Sequence, residues 1–263
     1  MRGLFTSAAQ TSARTSARAG RVLLLLSVVP AVAVTAWLLV AVPLAATGFF
    51  HAALVVPAFA AAAVLLLRYT LRLYRRTSRS FTAPWWTVGA SLAVAVAFAG
   101  FVAATYSQQA VLHRDAGTYA QIGLWLSGHS GLTTPVPYEA FGRAAEELTF
   151  AHPGFYVQGD VIVPQFMTGW PTLLAAVYWV AGWPGMFVLP AVVGGAAVLA
   201  VAGLAARLFG PRWAPVAALL LGSAWPMIRA SQTTYSEPLA CLMLAGGLCL
   251  LLDGWTAGAA RRA

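Results

Sequence analysis

The residues of this chain that could do chemistry are few and close together. His113-Arg114-Asp115-Ala116-Gly117-Thr118-Tyr119-Ala120 breaks an apolar sequence just after a membrane-length run, and Asp115 is the first acidic residue from the N-terminus. A carboxylate in reach of a hydroxyl can take its proton as a general base, and a neighbouring guanidinium can hold an anionic leaving group. The Asp-x-x-x-Tyr spacing puts Tyr119 on the helical face of Asp115. A second polar run, Thr234-Tyr235-Ser236-Glu237-Pro238, supplies another carboxylate, with Arg229 shortly before it. Each of these residues also has a plainer reading. Asp115 can be a helix N-cap and nothing more, and Glu237 can pair with Arg229. Tyr119, Tyr235, Trp170, Trp179 and Trp183 can be interfacial anchors. His113, His129 and His152 are too widely spaced for a metal signature and are given no ligand role.

The setting is a membrane. Of 263 residues, 60% are hydrophobic and 9% charged, and mean hydropathy is +0.77. A soluble domain has apolar content near half and charged content near ~25%. All 16 basic residues are Arg, giving a net charge of +9. In a soluble chain that excess would point to nucleic acid; here the arginines flank long apolar runs, which is the pattern of cytoplasmic anchoring, so no nucleic-acid partner is expected. Cys241 and Cys249 lie in a late apolar run without polar company and are expected to pack, not to form a disulfide or a metal pair.

Taken in order, residues 1–21 read as a basic, disordered tail. The run over about 22–45 is longer than the roughly 7–15 residues of a signal-peptide core and long enough to cross ~30 Å of hydrocarbon. With a second run over about 49–67 it forms a hairpin closed by the Arg-rich segment 68–79. Residues 22–80 therefore read as a transmembrane hairpin with its basic loop, and 81–263 as the main transmembrane domain. Pro84-Trp85-Trp86 opens a third span that runs to about Tyr106. Residues 107–185 then form a large loop holding most of the acidic residues, in which Tyr119, Ile122 and Leu126 share a face suited to lying flat on the membrane. The Gly- and Pro-rich stretch 128–159 reads as irregular.

The segment 166–180 decides the topology of all that follows. It is short for a span and is interrupted by Gly169 and Pro171. If it crossed, Arg207, Arg212, Arg261 and Arg262 would emerge outside; if it lies in the outer interface, all four are cytoplasmic, as the positive-inside tendency favours. The expected fold is therefore an all-α polytopic transmembrane bundle. Its six spans lie over about 22–45, 49–67, 85–106, 186–206, 213–229 and 238–252, with interfacial helices in the large external loop. Arg114, Arg143 and Arg229 alone among the arginines are then outside, Asp115 and Glu237 share one face, and Asp253 is a solvated residue at the inner end of the last span.

From about Phe101 to Leu252 the chain resembles the C-type (GT-C) membrane glycosyltransferases of the protein-mannosyltransferase-like kind. The resemblance rests on Asp115 within Arg114-Asp115-Ala116-Gly117-Thr118-Tyr119, on Pro164-Gln165-Phe166 through Gly169-Trp170-Pro171-Thr172-Leu173-Leu174-Ala175, on Leu189-Pro190, on Ala205-Ala206-Arg207-Leu208-Phe209-Gly210, and on Ser231 to Pro238, in the family's order. Val188 stands where many members carry an Arg, and two spans precede the family's usual first one. Members also run well beyond this length, so the resemblance covers their N-terminal part. It implies an inverting transfer of a sugar from a polyprenyl-phosphate donor to a hydroxyl of a glycan or protein acceptor, at the outer face of the cell membrane, with no cofactor or metal indicated. Asp115 and Glu237 would be the catalytic carboxylates, and Arg114, Tyr119, Arg229 and Tyr235 would bind substrate. The alternatives are a non-catalytic fragment or scaffold and a multi-pass transporter-like protein.

Overall fold

The computed structural model describes residues 2–77, 81–111, 115–141, 149–150 and 152–262, with side-chain surroundings for 12–74, 81–111, 115–140, 149–150 and 152–256. It is a helical bundle in which, among the described residues, five helices are long and apolar enough to cross a membrane, which marks a multi-pass membrane protein. In chain order the helices are α1 (Arg2–Ala46), α2 (Ala52–Thr77), α3 (Trp85–Ala104), α4 (Asp115–Gly128), α5 (Tyr138–Phe141), α6 (Gly169–Phe209), α7 (Ala214–Gly222), α8 (Trp225–Ser231) and α9 (Glu237–Arg262), with the short strands β1 (Thr134–Pro135), β2 (Phe155–Gln158) and β3 (Val161–Pro164) between α4 and α6.

Contacts between helices fix the path of the chain. Arg207 near the end of α6 bonds Ser27 in the first half of α1, Tyr74 at the end of α2, and Asp253 in the last part of α9. The start of α3 joins the same end, where the Ala83 amide donates to the Ser16 carbonyl. At the opposite end the Gln232 amide group donates to Thr105 just past α3, and the Ser107 amide donates to the Gln232 carbonyl. One end of the bundle therefore carries Arg14, Arg18, Arg21, Arg207 and Arg212, and the other carries the starts of α4 and α9 with their carboxylates.

Small residues make the close packing between these helices. A Cβ on Gly203 would lie 2.1 Å from Ser27 Cβ, and one on Gly246 would lie 2.5 Å from Ala31 Cβ. With no hydrophobic gain available between helices in lipid, such backbone approach is what holds α1 against α6 and α9. Polar groups then find partners inside the bundle, as an apolar medium requires.

Several expectations are corrected here. Residues 2–21 are not an irregular tail: α1 begins at Arg2, its Ala-rich N-terminal stretch contains no proline, and Ala19 and Gly20 are buried, Gly20 against the Phe81 segment. Helix α2 continues past the apolar run through Arg76. The span expected over 213–229 is not one helix. It breaks at Ser223 and Ala224 into α7 and α8, because Pro226 has no amide to donate and its ring would clash with the carbonyl one turn back. Together α7 and α8 still carry the chain from the arginine-rich end to the opposite one. The stretch 128–159 is not wholly irregular: β1, β3 and β2 pair antiparallel, Gly159 turning the β2–β3 hairpin at φ 62°.

The segment 166–180 joins α6, but Gly182 (φ 60°, ψ −154°) interrupts that helix. Trp170 at the start of the first leg donates to the Thr234 carbonyl, and Trp183, just after the break, donates to Gln108. Both partners lie at the end opposite the arginines. The first leg therefore does not cross the bundle, as expected, and the second leg alone makes the crossing.

Asp253 is not solvated. It is 8% exposed and forms an ion pair with Arg207 at 2.7 Å; Tyr74 donates to the same carboxylate. A buried charge left alone in an apolar bundle is costly, so removing one partner is worse than removing both. Asp253→Ala is expected to destabilise the protein by about 3–5 kcal/mol, and Arg207→Met with Asp253→Leu to recover most of that loss. Thermal unfolding in detergent measures both; equal loss in the single and double variants would contradict the assignment.

Candidate functional site

At the end opposite the arginines, α4 is seated on the bundle by its buried face and by its first turn. Ala116 through Ala120 are buried, together with Ile122, Gly123 and Leu126. The face that the sequence assigns to the membrane surface is thus turned into protein. Tyr119 packs on Phe166 with ring centroids 5.4 Å apart, while Ile122 and Leu126 join a cluster with Trp37, Phe50 and Ala175. Gly123 allows this contact: a Cβ there would lie 2.8 Å from Leu174 Cβ.

Asp115 is the first residue of α4 and is exposed. Glu237 is the first residue of α9 and is also exposed. Bonds between their neighbours join the two helix starts. Thr234 donates to the Ala116 carbonyl, and Ser236 Oγ donates to the Tyr119 hydroxyl at 3.3 Å. Trp170 reaches the Thr234 carbonyl at 2.7 Å. The two carboxylates, 122 positions apart (237 minus 115), therefore stand on one end of the bundle, each in the first turn of a helix, where an anionic side chain is favoured by the backbone dipoles. That same position is what a purely capping carboxylate would occupy.

The remaining expected site residues divide. Tyr119 is brought into the cluster. Tyr235, half-buried, lies between Thr234 and Ser236 in it. Arg229 does not pair with Glu237 among the described interactions: its Nη1 donates to Gln232 at 3.2 Å and its guanidinium lies 5.6 Å from the Trp225 ring centroid. Arg114, Arg143 and His113 lie outside the described residues. Trp170 is not a lipid-facing anchor, being 2% exposed, and Trp179 and Trp183 both donate to protein acceptors. His129 stacks on Trp125 at 3.4 Å and His152 accepts from the Gly154 amide. Among the described residues no three His, Cys, Asp or Glu side chains group to hold a metal ion. Cys241 and Cys249 are free thiols, the latter buried.

Sequence reasoning missed what supports these residues. A cavity of about 300 Å³ opens beside α4 between Gln121, Trp125 and the loop carrying Phe150, His152 and Phe155, at the small end of the range of ligand pockets. The loop is pressed onto α4, since a Cβ on Gly154 would lie 2.5 Å from Thr118 Oγ1. The Ser231 and Thr233 hydroxyls are buried without a hydrogen-bond partner among the described residues, each a cost of ~1–3 kcal/mol. The Ser-Gln-Thr-Thr run was the available signal, since so polar a run between two apolar segments must go somewhere.

No family model matches the chain, and searches of curated proteins and of solved structures found no match.

Gly117 fixes the approach to Asp115, because a Cβ there would lie 1.9 Å from the Val111 carbonyl oxygen. Gly117→Ala is expected to cost about 1–3 kcal/mol through overpacking against Val111. Gly100, inside α3 where a Cβ meets nothing within 4 Å, serves as control: Gly100→Ala should hold or raise the thermal midpoint, since alanine is the better helix former. A matching loss in the two variants would show that the effect is not local to the loop.

Proposed function

We propose that this protein is a glycosyltransferase of the GT-C kind, which moves a sugar from a polyprenyl-phosphate donor to an acceptor hydroxyl at the outer membrane face. The supporting observation is the union of the α4 and α9 starts through Thr234 and Ser236, which leaves Asp115 and Glu237 exposed on the end away from the arginines. The positive-inside tendency makes that end the outer one.

In this reading the donor's lipid stays in the bilayer and its anomeric carbon is held at headgroup depth. Asp115 accepts the proton of the acceptor hydroxyl as the glycosidic bond forms on the face opposite the breaking bond to phosphate, so the anomeric centre inverts. Base catalysis of this type is worth ~10² to 10⁴ in rate. The polyprenyl phosphate departs already ionised and needs cations more than an acid, which Arg114 and Arg229 supply. Glu237 orients the acceptor or Asp115. Tyr119 and Tyr235 line the approach, and the cavity beside α4, with Trp125 as its aromatic wall, receives the acceptor.

A second reading, transport, draws on the buried Arg207–Asp253 pair and on the break between α7 and α8, since ionisable groups and broken helices inside a membrane mark substrate paths. It is the weaker one. The pair is saturated by Ser27, Tyr74 and the Gly203 carbonyl and, among the described residues, has no second ion pair beside it at the level of the helix break.

The test is transfer from labelled polyprenyl-phosphate sugars by protein in membranes. Asp115→Asn should lower the rate by ~10² to 10⁴ with donor binding retained; transfer at the wild-type rate would remove Asp115 from the chemistry. Single cysteines introduced by Asp115→Cys and Glu237→Cys should both react with an impermeant reagent on intact cells. Labelling of one only after permeabilisation would put the two carboxylates on different sides.

A further inference from the structure

The polar run after α8 holds one side chain whose two polar atoms are both engaged, and what it engages is a cation. Gln232 is 9% exposed. Its Oε1 accepts from Arg229 Nη1 at 3.2 Å, and its Nε2 donates to Thr105 Oγ1 at 2.8 Å. Its backbone is tied as well, the amide donating to the Ile228 carbonyl and the carbonyl accepting from Ser107. The two ends of the side-chain amide cannot be exchanged. Arg229 has only donors and needs the oxygen, while Thr105 spends its hydroxyl proton on the Phe101 carbonyl and offers Nε2 a lone pair.

The arginine held in this way is exposed. Its guanidinium lies 5.6 Å from the Trp225 ring centroid. Neither an amide oxygen nor an indole face neutralises it, and among the described residues the ion pair is formed elsewhere, by Arg207 and Asp253. A guanidinium that needed only an anchor would be held about twice as strongly by a carboxylate. A neutral acceptor instead fixes its direction and leaves its charge available to a mobile anion. Trp225, 67% exposed beside an apolar helix, is of the type that sits at headgroup depth, so the anion that reaches Arg229 is one carried by a lipid.

Gln232 also joins this cation to the approach to Asp115. Ser107 opens the segment 107–111, whose Ala110 carbonyl accepts from Gln121 on α4 and whose Val111 carbonyl lies against Gly117. The arginine and the start of α4 therefore share one support.

We propose that Gln232 is a positioning residue that presents Arg229, without neutralising it, to the phosphate of a polyprenyl phosphate at the outer face. The identity of the anion rests on the glycosyltransferase reading; the hold on Arg229 does not.

The experiment is binding of fluorescent polyprenyl phosphate, against uncharged polyprenol of the same length, to the full chain in nanodiscs of neutral lipid, with sugar transfer measured on the same preparations. The wild type should prefer the phosphate. Gln232→Glu keeps the size and still accepts from Arg229, so a mere anchor would survive it. Presentation to an anion would not, and phosphate binding should weaken about tenfold with polyprenol binding unchanged. Gln232→Leu should weaken phosphate binding in the wild-type background but add nothing to Arg229→Gln, because it acts through that arginine. Equal binding of phosphate and polyprenol by the wild type overturns the proposal, as does full phosphate binding by Gln232→Glu or an added loss from Gln232→Leu in the Arg229→Gln background. Displacement of the probe by an equal amount of phosphatidylglycerol would assign the site to a phospholipid headgroup and overturn it too. Should Gln232→Leu not fold, Gln232→Glu still decides. Phosphate binding that follows these expectations in a protein that transfers no sugar would remove the glycosyltransferase reading alone; transfer by the wild type with phosphate binding intact in Gln232→Glu would remove the positioning role alone.

Discussion

The arrangement of this bundle turns on one buried ion pair. Arg207 and Asp253 come from helices that are far apart in sequence, and their shared network reaches Ser27 and Tyr74, so four helices meet at one set of charges. Neither residue could be left in an apolar interior alone, whereas the pair, with every guanidinium nitrogen engaged, can be. The cost of separating the two charges sets the register of α6 against α9, and both against the N-terminal hairpin. That hairpin is therefore part of the folded unit and not an appendage to it.

From that register the opposite end follows. With α6 running toward the arginine-rich end and α9 ending there, the connection between them has to return across the bundle, and it does so as the broken pair α7 and α8. The break is tolerated because the polar run after it is taken up by protein: Gln232, Thr234 and Ser236 find partners on α3 and α4. The same bonds gather the starts of α4 and α9. The hydroxyls of Ser231 and Thr233 stay buried here without a partner among the described residues.

Asp115 and Glu237 stand exposed at two helix starts that Thr234, Ser236 and the Tyr119 hydroxyl hold together. The cavity beside α4 widens that setting on one side, and the kink at Gly182 lets the first leg of α6 pack beneath it without crossing. A single positive φ thus decides whether the chain's later arginines gather with the earlier ones or are split between the two ends.

Composition and period were enough to read the membrane class, the positions of α2, α3 and α9, the gathering of arginines at one end and the non-crossing leg before Gly182, because each depends on the apolar content and length of one segment. The helix at Asp115 was also legible, from its spacing, though not the face it buries. What the tertiary structure alone decided depends on groups that meet through space. Arg207 and Asp253 each read as an ordinary solvated charge until they are 2.7 Å apart. Pro226 reads as one more proline in an apolar run until the polar partners that compensate the break are known. The polar run around Thr234 signals that it needs partners but not which ones, and its bonds to the Ala116 carbonyl and the Tyr119 hydroxyl bring two distant helix starts to one end. Local pattern fixes which segments enter the bilayer, while complementarity between segments fixes which side chains face one another there.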